Sequence, residues 1–349
     1  MKNIYGLTLE KLTEEMLSLE QKSFRAKQLF SWLYVKNATS FDEMSDISLK
    51  FREVLKEKYS YSIEKPKLFL KQKSIDGTTK LLLEMRDGEK IETVLMPYNY
   101  GNAICISTQV GCNMGCKFCA SGLLKRKRNL STEELVGQVL ILNDVLRENN
   151  QNPVTHVVVM GTGEPFDNYD NVIDFIRIIN SQFGLAIGAR HITVSTSGIV
   201  PGILKYGKEG LQINLAVSLH APTNQLRDII MPINKAYPLE QLIPAIVQYG
   251  KDSNGRRVTY EYIMIQDFND SEECADKLIE LIKPTFGYVN LIPYNRVIEN
   301  DFYRSSNNRI HRFHDKLLKA GIKATIRKEF GADIDAACGQ LRAKYANKN

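Results

Sequence analysis

The sequence predicts an α/β fold: an open, partial (β/α)6 barrel with a small N-terminal helical domain and a β-hairpin extension. Two patterns carry this expectation. In the larger, later part of the chain, apolar strand candidates alternate with amphipathic helical stretches, which implies a parallel sheet with helices outside it. Ahead of them lie a region of helical periodicity and then a region of strands. Counting the strand NAICIST, six βα units run to about residue 320 and a final strand follows. Six units are too few for a complete eight-stranded barrel, so an open sheet is expected, with its site at the C-terminal strand ends.

Residues 1–64 form the first region. Ala26, Leu29, Phe30 and Leu33 recur at helical spacing, and Ser40 with Glu43 reads as a capping box for the next segment. Lys22, Arg25, Lys27 and Lys36 are mixed with Phe24, Phe30, Trp32 and Tyr34. That mixture suits an accessory RNA-binding domain and equally an ordinary helical domain with solvated lysines. Residues 65–101 form the extension, its strands separated by Asp76-Gly77 and Asp87-Gly88, dipeptides that favour hairpin turns. Residues 102–330 form the barrel. In its first strand Ile104 and Ile106 point one way, Ala103, Cys105 and Ser107 the other. Ser131 and Glu134 cap LSTEELVGQVLILNDVL, and THVVVM, HITVST, INLAVSL, VTYEYIMI, YVNLIPY and KATIRK follow as strands. Residues 331–349 form a tail.

A chain of 349 residues, 43% hydrophobic and 25% charged, can bury one large core plus a smaller domain. No apolar run approaches membrane-spanning length, and MKNIYGLTLEKL lacks the apolar core of a signal peptide. A cytoplasmic protein without membrane association, and a monomer, is expected. Six cysteines, three of them clustered, suit a reducing compartment with metal-binding or catalytic thiols better than a disulfide framework. The net charge of +6 permits RNA binding, and Lys125, Arg126, Lys127 and Arg128 form a basic run able to neutralise phosphates or simply to face solvent.

Cys112, Cys116 and Cys119 stand in QVGCNMGCKFCASG with the spacing C-x3-C-x2-C. Thiolates select iron–sulfur clusters or zinc, and closed sites of either kind want four donors. Three donors leave one iron open; with Cys105 as a fourth, the loop would instead be a structural zinc knuckle. The spacing resembles the radical S-adenosylmethionine (SAM) superfamily, in which a [4Fe-4S] cluster held by three cysteines binds SAM at its open iron. Further along, MGTGEP ends the strand THVVVM, a glycine-rich turn followed by a carboxylate. It resembles the SAM-binding GGEP-type motif, with Gly163 and Glu164 meeting the methionine amino group. Ser195, then Ser218, Leu219 and His220, then Asn295 lie at successive strand ends, where polar groups can bind ribose and adenine.

Cys338, in the tail segment DIDAACGQL, lies beyond the last strand. With the cluster loop, Cys105, GTGEP and SLH, it makes the chain resemble the RlmN/Cfr family of RNA adenine methyltransferases over nearly its whole length. Pro165 and RKEFGADIDAACGQLRAK look like the C2-methylating branch; Thr162 departs from the more usual methionine, with side-chain packing expected to be all that changes. The resemblance implies that two SAM are used per turnover and that Cys338 carries the methyl as S-methylcysteine. It also implies that Cys105 resolves the RNA adduct through a disulfide and that Glu92 accepts a proton. The implied substrates are adenine 2503 of 23S ribosomal RNA, in protein-poor precursor form, and adenine 37 of certain transfer RNAs. Electrons would come from a donor such as flavodoxin or ferredoxin. Two other readings stay open: C8 methylation, as in the Cfr branch, and a non-catalytic, zinc-stabilised RNA-binding protein.

Overall fold

A computed structural model describes residues 2–60 and 65–341. The first region comprises β1 (Lys2–Asn3), α1 (Leu9–Ser18), α2 (Phe24–Tyr34), α3 (Leu49–Lys58) and β2 (Tyr59–Ser60), the two short strands pairing in parallel. Leu12 and Met16 of α1, and Ala26, Leu29, Phe30 and Leu33 of α2, form the buried apolar stripes that make these segments helical in context. Thr8 caps α1 by accepting from the Lys11 amide. The expected Ser40–Glu43 capping box does not form. Only a single 3₁₀ turn spans Phe41–Glu43, and there the carboxylate of Glu43 reaches back past Ser40 to accept from the amide and hydroxyl of Thr39.

The extension is an antiparallel meander of β3 (Lys67–Lys73), β4 (Thr79–Glu84) and β5 (Lys90–Tyr98), with the Asp-Gly dipeptides at its turns. Gly77 and Gly88 take φ of +90° and +81°, which those turns require. Next come β6 (Gly101–Cys105), β7 (Gln109–Val110) and β8 (Arg128–Asn129); β7 and β8 pair as a small ribbon clamping the loop between them. The remainder alternates: α4 (Thr132–Glu148), β9 (Val154–Val159), α5 (Tyr169–Asn180), β10 (Ile192–Thr196), α6 (Val200–Gly207), β11 (Asn214–Ser218), α7 (Asn224–Ile230), α8 (Leu239–Asp252), β12 (Val258–Met264), α9 (Glu272–Ile282), β13 (Gly287–Pro293), α10 (Asn307–Lys319) and β14 (Ala324–Ile326). The Ser131–Glu134 capping box starts α4 as expected.

One ten-stranded sheet results, in the order β14-β13-β12-β11-β10-β9-β6-β5-β4-β3. It is parallel from β14 to β6 and antiparallel from β6 to β3, so the extension continues the barrel sheet instead of forming a separate layer. Six βα units and a final strand match the count made from sequence. Neither edge strand, β3 or β14, pairs with the other, and the barrel stays open.

Alternation along the strands sets the two faces. Ile104, Val157, Val159, Val194, Leu215 and Val217 are fully buried beneath the helices, and each such side chain contributes roughly 1.5–3 kcal/mol by leaving water. Cys105 and Val158 turn to the other face, toward the tail. The first region shares this core, since Leu12, Phe30, Tyr34 and Leu55 belong to the same apolar cluster as Val136, Leu140 and Phe175. Ion pairs of Lys11 with Asp174 and of Lys65 with Asp144 border the contact.

Candidate active site

The three loop cysteines lie between β7 and β8 on a tightly wound chain. Gly111 (φ +75°) lies on the Lys125 carbonyl, where a Cβ would come within 2.2 Å of the oxygen; at Gly122 a Cβ would come within 2.6 Å of the Cys116 carbonyl oxygen. The Lys117 amide donates to the Ile230 carbonyl at 2.9 Å, pinning the loop to α7. Cys112, Cys116 and Cys119 all line one cavity. Burial pushes the Cys112 thiol up to about 11 and raises Cys116 and Cys119 as well; Cys119 adds to the rise at both Cys112 and Cys116. Cys105 is pushed up to about 12 by burial and by Cys338, against the pull of Arg327. All six cysteines are free thiols.

Three thiols lining one cavity are a donor set that suits a cubane, which takes each cysteine on a different iron. The same cavity is lined by Gly163, Glu164, Ser195, Ser218 and His220, five of the residues read from sequence as SAM contacts.

MGTGEP is built for protein contact as well as ligand contact. At Gly161 a Cβ would lie 2.6 Å from the Ile106 carbonyl oxygen, and at Gly163 (φ +113°) 2.6 Å from the Thr108 hydroxyl, so both glycines let the loop lie on the chain leaving β6. Glu164 is fully engaged: Oε1 accepts from Thr196 Oγ1 (2.7 Å) and the Phe166 amide (3.1 Å), and Oε2 from the Ser197 amide (2.7 Å). Burial raises its pKa while these donors oppose the rise. It braces the end of β10 and presents one edge to the cavity. Thr162 does more than pack. Ser121 Oγ donates to the Leu341 carbonyl at 2.6 Å, which leaves Thr162 Oγ1 to donate to Ser121 at 3.1 Å.

At the end of β11, Ser218 and His220 face the cavity but Leu219 does not; its side chain is fully buried in the main core. His220 has φ +58°, its Nδ1 accepts from the Ile263 amide at 3.1 Å, and its ring stands edge-on to Phe118. Burial, reinforced by Arg227, lowers its pKa to about 3, so the ring is neutral with its proton on Nε2. Asn295 lines a smaller adjoining cavity and donates to the Cys338 carbonyl at 3.3 Å.

The tail returns across the open side of the barrel and brings Cys338 into the wall of the main cavity. Cys105 and Cys338 line a further cavity together, with Cys119, Met160 and Arg327. The tail is anchored on the β3–β4 turn: Ser74 Oγ donates to Asp333 Oδ1 at 2.5 Å, the Gly331 amide to Asp76 Oδ2 at 2.9 Å, and Lys80 Nζ to the Asp335 carbonyl at 3.2 Å. The Ala120 amide donates to the Gly339 carbonyl at 2.7 Å. Glu92 is buried on β5 and paired with Lys80 at 3.2 Å; it lies near the tail through that lysine and is not among the residues lining the main cavity.

Sequence reasoning missed Ser197, Glu261 and Arg327, which line the cavity. The signal for Glu261 was a lone charge inside the apolar strand VTYEYIMI; Arg327, one of three cations in KATIRK, gave none. The basic run is mostly satisfied internally, with Arg126 on Asp167, Lys127 on Glu89, and Arg128 on Asp87 and Glu134; Lys125 alone among the four projects without an acidic partner. No helix among the described residues is long and apolar enough to cross a membrane.

Comparison with known proteins agrees with this geometry. Residues 106–282 match the radical SAM superfamily, and residues 2–60 match the ribosomal RNA large subunit methyltransferase N-terminal domain. A probable dual-specificity RNA methyltransferase RlmN from Spiroplasma citri is 53% identical, covering 99% of this chain and 98% of that protein. One from Geobacillus kaustophilus is 52% identical, covering 98% and 93%. A crystal structure of a radical SAM methyltransferase from Sphaerobacter thermophilus superposes with a TM-score of 0.90 at 41% identity, covering 99% of this chain and all of that one.

Proposed function

The chain belongs to the RlmN family within the radical SAM superfamily, and from that premise we propose that it methylates C2 of adenine in 23S ribosomal RNA and in transfer RNA. The observation that carries the reading is Cys338 in the wall of the same cavity as Cys112, Cys116 and Cys119, with Cys105 beside it. A generic SAM-cleaving site has no use for two further thiols there.

In this reading the three loop cysteines hold one [4Fe-4S] cluster, and Gly163, Glu164, Ser195, Ser218 and His220 form the SAM side of the pocket, with Asn295 in the adjoining cavity. When bound, cluster and SAM supply a 5′-deoxyadenosyl radical. The protein supplies the carbon carrier. Because adenine C2 is electrophilic, it cannot attack a SAM methyl directly. The Cys338 thiolate takes that methyl from one SAM and releases S-adenosylhomocysteine. After loss of a hydrogen atom to the radical from a second SAM, the carbon on Cys338 bonds to C2. The adduct's unpaired electron would return to the cluster as Glu92 or Cys105 takes the C2 proton. The Cys105 thiolate then forms a disulfide with the Cys338 sulfur as the carbon–sulfur bond breaks; that bond's electron pair passes to the carbon, which takes up a proton to become methyl, and a dithiol reductant resets the pair. Residues 1–64 would grip RNA, 65–101 extend the sheet, 102–330 hold the cofactors and 331–349 deliver the carbon.

Anaerobic turnover with methyl-labelled SAM and precursor ribosomal RNA tests this directly. The label is expected on C2 by mass spectrometry of the digested adenosine; a C8 label would transfer the protein to the other chemistry. Protein that binds zinc but neither iron nor SAM would return it to a non-catalytic RNA-binding module.

A further inference from the structure

Arg227 is the largest side chain in the described structure that is wholly withdrawn from solvent, and among the described residues it forms no ion pair. Its guanidinium donates only to neutral oxygens: the Ser197 carbonyl at 2.6 Å, the Leu219 carbonyl at 3.2 Å, the Ser218 carbonyl at 3.3 Å, and Asn234 Oδ1 at 2.7 Å. The nearest carboxylate is one link away, since Asn234 Nδ2 donates to Asp228 Oδ1 at 2.7 Å. A permanent cation buried this way is costly unless an anion lies nearby.

The cysteine loop packs on the same helix. Cys116 lies against the apolar cluster that includes Leu226, Ile230 and Met231, and the Lys117 amide is bonded to Ile230. Burial lowers the Arg227 pKa to about 10, and the first influence opposing that fall is Cys116, ahead of Asp228. Three thiolates outnumber the positive charge of a cubane core, so the loaded loop is anionic, and it gains a further negative charge when reduced.

We propose that Arg227 is a positioning residue with two linked tasks: it is the buried counter-charge of the cluster, and through the Ser197, Ser218 and Leu219 carbonyls it ties together the ends of β10 and β11 that face SAM. The inference rests on the assignment of the cluster to Cys112, Cys116 and Cys119. A fixed positive charge in a low-dielectric site favours the more negative, reduced cluster. Its removal lowers the midpoint potential.

The test is an anaerobic redox titration of the full chain with its cluster reconstituted, followed by electron paramagnetic resonance, without SAM or RNA. Arg227→Met is expected to lower the midpoint potential at unchanged iron content and circular dichroism; Arg227→Lys, which keeps the charge but not the fork of donors, is expected to lie near wild type. A second arm avoids deleting the buried side chain. Asn234→Asp combined with Asp228→Asn moves the same carboxylate one hydrogen bond closer to the guanidinium at constant net charge and size, and is also expected to lower the potential. An unchanged potential in a cluster-bearing Arg227→Met protein overturns the proposal and leaves Arg227 a tie between loops. If that variant holds no iron, the exchanged pair decides, and an unchanged potential there overturns the proposal equally. Failure of the cluster assignment would look different: a Cys119→Ala protein would keep its iron.

Discussion

At the scale of single residues, the cysteines divide by neighbourhood as well as by spacing. Cys338→Ala is expected to abolish RNA methylation, and to remove a methyl-sized mass addition from the tail peptide, while iron content stays at the wild-type level; persistent RNA methylation by that protein would rule out the relay. Cys105→Ala is expected to keep cluster and methyl-cysteine but to stall with RNA covalently attached, a species that nuclease digestion and peptide mass spectrometry would find bridged to Cys338. The convergence of Cys112, Cys116 and Cys119 on one cavity was legible because thiols at fixed spacing have few other uses. Strand alternation likewise puts Cys105 on the face opposite Ile104 and Ile106. Arg227 was not legible, because in a sequence a buried arginine looks like any surface arginine. Leu219 shows the converse: a residue inside a recognised motif faced the core, as alternation with Ser218 and His220 requires.

At the scale of elements, the β3–β4 hairpin is more than a connection, because its turn holds the tail. Burial would raise the pKa of Asp76, but hydrogen bonds, led by the Gly331 amide and joined by the Thr78 amide, outweigh it and bring the value from the ordinary 3.8 to about 2. A carboxyl depressed in the folded state contributes stability that is fully present above its unfolded value and is lost as pH falls through the folded one. Hydrogen exchange at 331–341 is therefore expected to accelerate, relative to the sheet, as pH falls from about 4 toward 2. Asp76→Ala should produce the same local loosening at neutral pH, with a global stability loss of only about 1–2 kcal/mol, the scale of charge-assisted hydrogen bonds. Equal exchange in variant and wild type would remove the anchor role. Asp76-Gly77 was legible as a turn from two residues; its second use was not, because its partners lie 255 residues further on.

At the scale of the molecule, the number of βα units could be counted in the sequence, since each is a local pattern. That the extension and the barrel are one sheet could not, because the β5–β6 pairing depends on which edge is free. Nor could the continuity of the first region with the barrel core, where Phe30 nearly touches Gly184 (a Cβ there would lie 2.8 Å from the ring). Since that core is continuous, thermal unfolding is expected to be a single transition, and a chain lacking residues 1–60 should aggregate, with the apolar faces of α4 and α5 bared; a monomeric, cooperatively folding truncation would show the core to be divisible. The strap from β14 to the β3–β4 turn carries a consequence for the order of assembly. The contacts that seat Cys338 join the last part of the chain to be synthesised to strands made much earlier, at separations of 255 to 259 residues. Synthesis and domain folding proceed from the N-terminus, so sheet, helices and cysteine loop can all be in place before Cys338 is seated in the cavity wall. Completion of the cavity therefore waits for residues 331–341, made long after the turn that holds them.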